Sequence, residues 1–246
     1  MVTDMGFAVR WHCQQGTRTA DNRDHAGIGI RGGSILAIVL DGSTSGSASG
    51  LFAREIARHV VDWFVTTPAE VTAATMTEQL RMTHVALAGD FKKASASYVL
   101  LYADAAPPAI VLHAGDCLLG HRDTDGRISW LLQPHTLANA LAAIPHETLV
   151  KADARHVLTR SFRSKRFIAP DLTLTDLKDQ TLLVGTDGFW ADLDLHEQNA
   201  FSEGRLPASE GERDDRALLS ISRVGAGASI DVSGTHAPTS IYVRRA

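Results

Sequence analysis

The sequence predicts a mixed α+β chain, and three observations carry that prediction. Short apolar runs bounded by Gly, Pro, Asn or Asp recur along its length. Two long stretches in the first half carry apolar side chains at helical spacing. Aspartates stand where several apolar runs begin or end.

The clearest strand is Ile35-Leu-Ala-Ile-Val-Leu-Asp41-Gly42, an apolar run bounded by Gly33 and Asp41 that reads as buried on both faces. Ahead of it, 6–14 alternates as a strand, and the polar segment 16–24, with Arg18, Asp21, Arg23 and Asp24, leads to a second strand around Ile28. After the Ser- and Gly-rich turn 42–50, residues 51–64 place Phe52, Ile56, Val60 and Phe64 on one helical face. Thr67-Pro68 breaks that helix, and 69–91 forms a second with Met76, Leu80, Leu87 and Phe91 as its stripe.

Strands follow at 97–103, 110–114 and 118–122, with Asp125-Gly126 as a hairpin signal before a strand at 128–132. A helix is expected over 137–144, stopped by Pro145. Arg155, Arg160, Arg163, Lys165 and Arg166 make a basic cluster that reads as a solvated face. Leu182–Val184 is a short strand ending at Asp187-Gly188, and 194–213 reads as loop or short helix. Asp214-Asp215 precede a strand at 217–221, and 239–244 is a final edge strand. No repeat or linker divides the chain. It reads as one domain, 1–246, with a C-terminal strand segment from about 229.

Composition narrows the function. At 44% hydrophobic, 21% charged and net charge −4, nothing favours nucleic acid or an anionic membrane. Two cysteines, Cys13 and Cys117, fit no disulfide ladder or metal spacing. The first residues lack the basic and apolar regions of a signal peptide, and no apolar run approaches a transmembrane helix, so a cytoplasmic protein is expected.

Asp24, Asp41, Asp116, Asp187 and Asp214 each flank an apolar strand, without thiolate or imidazole partners. Carboxylates with backbone carbonyls and water suit hard cations such as Mg²⁺ or Mn²⁺. Were these acids to converge, their mutual repulsion would call for cations between them. Other chemistries fit poorly. The 42–50 turn lacks the centred serine of a nucleophile elbow and the Gly-Lys of a phosphate loop. Ser43 stands where a haloacid-dehalogenase-type phosphatase needs its second acid.

Four segments, in order, resemble the motifs of the metal-dependent protein phosphatase 2C (PPM) family. They are Gly16-Thr-Arg-Thr-Ala-Asp-Asn22-Arg23-Asp24, Ile38-Val-Leu-Asp41-Gly42, Leu112-His-Ala-Gly115-Asp116 and Leu182-Leu-Val-Gly-Thr-Asp187-Gly188-Phe-Trp190. Pro134-His135-Thr-Leu-Ala-Asn139 and Leu158-Thr159-Arg160 are smaller echoes. The resemblance implies a four-layer α/β/β/α sandwich, two antiparallel sheets packed face to face with flanking helices. It implies a serine/threonine protein phosphatase that uses two Mn²⁺ or Mg²⁺ ions, with a weaker third, and hydroxide bridging the ions. Its partner would be a phosphorylated protein, opposing a Ser/Thr kinase in signal transduction.

On that resemblance, Asp41 bridges both ions, the Gly42 carbonyl ligates one, Asp187 binds the other and Asp214 closes the set. Asp24 joins the ligands, Asp116 and Asp187 face the third ion, and Arg18 grips phosphate through its fork of donors. A rival placement of the last ligand, in the terminal segment around His236-Ala237, puts alanine at the acid position. His113 and His135 read as structural, and the 155–166 basic cluster reads as a solvated face or, alternatively, as a flap that helps hold phosphorylated peptides. Three departures stand out. Arg23 replaces an outer-shell Glu, Ser43-Thr-Ser-Gly46 replaces Gly-His-Gly-Gly, and the acid after Asp187 falls at Asp192, one place beyond the family position held here by Ala191. These departures leave a second reading, a degenerate phosphatase fold that binds a phosphoprotein or regulatory partner.

Overall fold

A computed structural model describes residues 6–104, 106, 108–123, 126–176, 181–207, 211–225, 231–235 and 239–246, the side chains of Asp231 and Val232 excepted. Strands β1 (Gly6–Gln14), β2 (Asp24–Arg31) and β3 (Ser34–Gly42) precede helices α1 (Ser49–Thr66) and α2 (Ala73–Leu87). Then come β4 (Ser95–Ala103), β5 (Ala109–Ala114), β6 (Leu118–Arg122), β7 (Ile128–Trp130), α3 (His146–Leu149), β8 (Phe162–Arg163), β9 (Asp171–Thr175) and β10 (Leu182–Gly185). The chain continues through α4 (Asp187–Trp190), α5 (Leu195–Ser202), β11 (Arg216–Val224), β12 (Asp231–Ser233) and β13 (Ile241–Arg245).

The strands form two sheets, ordered β12-β1-β11-β10-β6-β7 and β13-β2-β3-β4-β5-β9, with β8 paired to β4. Pairing is antiparallel except at one edge of each sheet, where β12 runs parallel to β1 and β13 parallel to β2. The expected two antiparallel sheets with flanking helices are present, each with one parallel strand added at an edge. Two late strands return to pair with two early ones, a long-range arrangement that no local signal marks.

Period-two alternation in β3 sets the layers. Ile35, Ala37 and Val39 face the core between the sheets with Phe7, Val9, Trp11, Leu219 and Ile221. Leu36, Ile38 and Leu40 lie beneath α1 and α2 against Phe52, Ile56, Val60, Phe64, Met76 and Leu80. Buried on both sides, the strand reads as a continuous apolar run. Asp41 continues the odd-numbered set, so the alternation turns its carboxylate toward the end of the inter-sheet layer.

The helices differ from expectation at their ends. Thr67, extended ahead of Pro68, stops α1. Residues 69–72 stay outside α2, which Thr72 and Thr75 open with a reciprocal capping box. The helix expected over 137–144 is a single 3₁₀ turn at Leu137–Asn139. Leu137 and Leu141 are exposed there, so no apolar face stabilises further turns. Asp125, in the hairpin signal, and His236-Ala237, in the rival ligand placement, lie outside the described residues.

Candidate metal and phosphate site

Five chain segments deliver the site. Asp24 starts β2 and Asp41 is the penultimate residue of β3, and the two are register partners. Asp116 lies in the turn between β5 and β6, Asp187 opens α4, and Asp214 precedes β11. A cleft of about 110 Å³ is lined by Arg18, Asp41, Ser43, Thr44, Ser95, Ser97, Asp116, His156, Asp187 and Asp214. Of the residues named from sequence, the cleft thus gathers Arg18, Asp41, Asp116, Asp187 and Asp214. Asp24 is buried below it, and Gly42 packs its backbone against the first turn of α1, where a side chain would overlap Ser49.

The electrostatics show how closely these acids crowd. Burial raises Asp41 well above the usual carboxylate range, and Asp24, Asp187, Asp116 and Asp214 push it further. Burial likewise pushes Asp187 up to about 8, helped by Asp116 and Asp214 and opposed by Arg155. Asp24 and Asp116 are raised chiefly by burial as well. Asp24 Oδ2 accepts a 2.7 Å hydrogen bond from Thr186 Oγ1, whereas its buried Oδ1 has no partner among the described residues. Such a set fits a pair of hard divalent cations, with oxygen donors only and a buried acceptor unsatisfied.

Supporting contacts fix each acid. Ser97 Oγ donates to Asp116 Oδ1 at 2.6 Å, and Trp190 Nε1 to the Asp116 carbonyl at 2.8 Å. Gly115, at φ +109°, lets the chain turn into Asp116, and a Cβ there would strike Ser97. His135 holds that turn. Its Nδ1 accepts from the Gly115 N–H at 3.1 Å, and its Nε2 lies 3.0 Å from Asp171 Oδ2. His113, His135 and Asp171 bring possible ligand atoms within 4.8 Å of one another. Both ring nitrogens of His135 are thus engaged within the protein. Asp215 is also structural: its oxygens accept from Gly16 N at 2.8 Å and Arg23 N at 2.7 Å, latching the 16–23 segment beside β11.

Three basic groups border or support the cleft. Arg18 donates to Asp214 Oδ2 at 2.5 Å, with Glu212 3.6 Å away, so it reaches the cleft already paired. Arg155 corrects the reading of a solvated basic cluster. Buried beside Trp190, it spans Asp187 Oδ2 and Asp192 Oδ1 at 3.2 Å each. Its partners lie more than 30 residues on, so no local pattern marks it. His156, on the exposed rim of the cleft, was also missed, because an imidazole next to an arginine has no signature of its own.

The architecture is that of bacterial PPM-type Ser/Thr phosphatases. Stp1 from Staphylococcus aureus superposes with a TM-score of 0.73 at 13% identity, over 88% of this chain and 95% of that one. The catalytic domain of PstP, solved with two manganese ions, gives 0.70 at 15% identity, over 89% and 99%. MsPP from Mycobacterium smegmatis, in complex with cacodylate, gives 0.67 at 20% identity, over 87% and 97%. No protein-family model and no curated protein matches the sequence.

Proposed function

We propose that this chain is a metal-dependent phosphatase that hydrolyses phosphoserine and phosphothreonine in proteins. The observation that carries the reading is the convergence of Asp41, Asp116, Asp187 and Asp214 on one cleft, with Asp24 buried behind them. Phosphatases of the same fold, one bearing two manganese ions, support it. Asp41, Asp187, Asp214 and the Gly42 carbonyl would hold two Mn²⁺ or Mg²⁺ ions, Asp24 backing Asp41. When bound, the ions supply charge neutralisation and an acidified water for attack on phosphorus.

The chain's own groups do the rest. Arg18, on the cleft wall, orients the phosphate, its fork exchanging Asp214 for phosphate oxygens once cations neutralise that carboxylate. Ser43, Thr44, Ser95 and Ser97 give the cleft a hydroxyl-rich wall. His156 stands to deliver a ring proton to the departing serine or threonine oxygen. Arg155 fixes a positive charge between Asp187 and Asp192, where a third ion would otherwise be held. No cysteine is placed to carry a phosphoryl group. Burial pushes the Cys117 thiol up, and the neighbouring carboxylates push it further.

Hydrolysis of a phosphothreonine peptide with Mn²⁺, Mg²⁺ or EDTA tests the proposal. Metal-dependent turnover supports it. Absence of turnover in folded, metal-loaded protein favours the second reading, a binding module for a phosphoprotein. The buried Arg23 and the histidine-free 43–46 loop are the observations on that side.

A further inference from the structure

Arg23 is buried at the entry to β2, and its side chain is spent on one loop. Nη1 donates to the carbonyls of Ser43 at 2.8 Å, Thr44 at 3.0 Å and Gly46 at 2.9 Å, while Nε reaches Asp21 Oδ1 at 3.3 Å. Gly50, in the first turn of α1, makes room for it, since a Cβ there would lie 3.1 Å from Arg23 Cγ and 2.8 Å from Asp21 Oδ2. The loop is anchored at its start by Ser43 N, which donates to Ser95 O at 3.0 Å.

Carbonyl dipoles that converge repel one another unless a cation sits at their focus. A trans peptide points its N–H opposite to its C=O. With the Ser43 carbonyl drawn onto the guanidinium, the N–H of Thr44 faces away from it, while the Ser45 N–H donates to Ser43 Oγ at 3.4 Å and the Gly46 N–H to the Ser43 carbonyl at 3.4 Å. Ser43 and Thr44 border the cleft that holds Arg18, Asp41, Asp187 and Asp214. We infer that Arg23 is a positioning residue: it holds the Ser43–Gly46 loop against the cleft, so that Ser43 and Thr44, with the Thr44 N–H turned away from the guanidinium, form the polar wall that confines the substrate phosphate. The inference rests on the phosphatase reading of the cleft. The charge inverted at position 23 is then an adaptation to this loop's sequence, not a lesion.

The test compares wild type with Arg23→Met, which keeps the aliphatic stem against Gly50, and Arg23→Lys, which keeps the charge. Calorimetry measures inorganic phosphate binding to Mg²⁺-loaded protein, and Mg²⁺ binding alone. Steady-state kinetics with p-nitrophenyl phosphate separates KM from kcat. Arg23→Met should weaken phosphate binding and raise KM at least tenfold, keep Mg²⁺ affinity within threefold, and be largely rescued in Arg23→Lys. Gly50→Ala, which crowds the Arg23 stem without removing the guanidinium, should shift KM the same way and covers the case in which Arg23→Met does not fold. Phosphate affinity within twofold of wild type in folded Arg23→Met, or parallel loss of Mg²⁺ and phosphate, would overturn the assignment. Failure of the phosphatase reading shows separately, as wild type that binds no Mg²⁺ or does not turn over.

Discussion

Asp24 and Asp41 are register partners across β2 and β3, two carboxylates at the same end of adjacent buried strands. Neighbouring acids placed this way destabilise the metal-free fold, because burial and mutual repulsion disfavour their charged forms. Among the described residues Thr186 supplies the one hydrogen bond to the Asp24 carboxylate, at 2.7 Å, and its hydroxyl also accepts from Ala217 N at 3.0 Å. Thr186→Val should therefore lower stability by about 1–3 kcal/mol, the cost of stranding a buried acceptor, with Thr186→Ser close to wild type. Urea unfolding in EDTA measures both. Equal stability of the Val variant would remove Thr186 from the site's support.

The carboxylate cluster gives stability a pH dependence of definite sign. Asp187 rises from 3.8 to about 8 in the folded protein, so between those values the native state binds more protons than the unfolded chain. Its contribution is fully present below pH 3.8 and is lost as pH climbs through 8. From pH 7.5 to 9, above the ordinary histidine range, the melting temperature in EDTA should fall. Saturating Mg²⁺ should flatten that slope, and Asp187→Asn should reduce it without added metal. A rising or level melting temperature in EDTA would contradict the repulsive cluster.

Arg155 is held by Asp187 and Asp192, and removing it strands two acids in a buried setting. Arg155→Ala should cost on the order of 3 kcal/mol in EDTA near pH 8, the low end for breaking a buried pair. Mn²⁺ should recover more of the melting temperature in this variant than in wild type, since a cation replaces the lost guanidinium. Equal metal-induced shifts in both proteins would show that Arg155 and the ions act independently.

His156 can be tested through the leaving group. Nitrophenolate departs without a proton, whereas a serine alkoxide needs one. His156→Gln should lower kcat on a phosphoserine peptide about a hundredfold, within the usual range for a general acid, and on p-nitrophenyl phosphate only a few-fold. Burial and the charges of Arg155 and Arg18 hold this imidazole below its usual range, with Asp192 and Asp116 opposing. Equal losses on both substrates would reduce His156 to a steric role.

Much of this architecture was legible because it is local. The double-faced apolar run of β3 and the stripes of α1 and α2 are periodic patterns, and periodicity survives without a structure. Asp41, Asp116 and Asp187 were marked by their places at strand ends. The interactions that organise the site are not local. Arg155 meets Asp187 across 32 residues, Asp215 meets Arg23 across 192, and Arg23 meets the 43–46 loop across about 20. A basic cluster on paper is a solvated face until a partner arrives from elsewhere. The 137–144 segment failed for the opposite reason: its leucines had helical spacing and nothing to cover them.

If the reading of the cleft is right, the clustered aspartates hold catalytic cations. That reading is tested most directly by hydrolysis of a phosphothreonine peptide by wild type, Asp41→Asn and Asp187→Asn, each with Mn²⁺ and with EDTA. Wild type should turn over with Mn²⁺ and not in EDTA, and both folded variants should lose at least a hundredfold. Near-normal turnover in both variants, or wild-type turnover that survives EDTA, would contradict it.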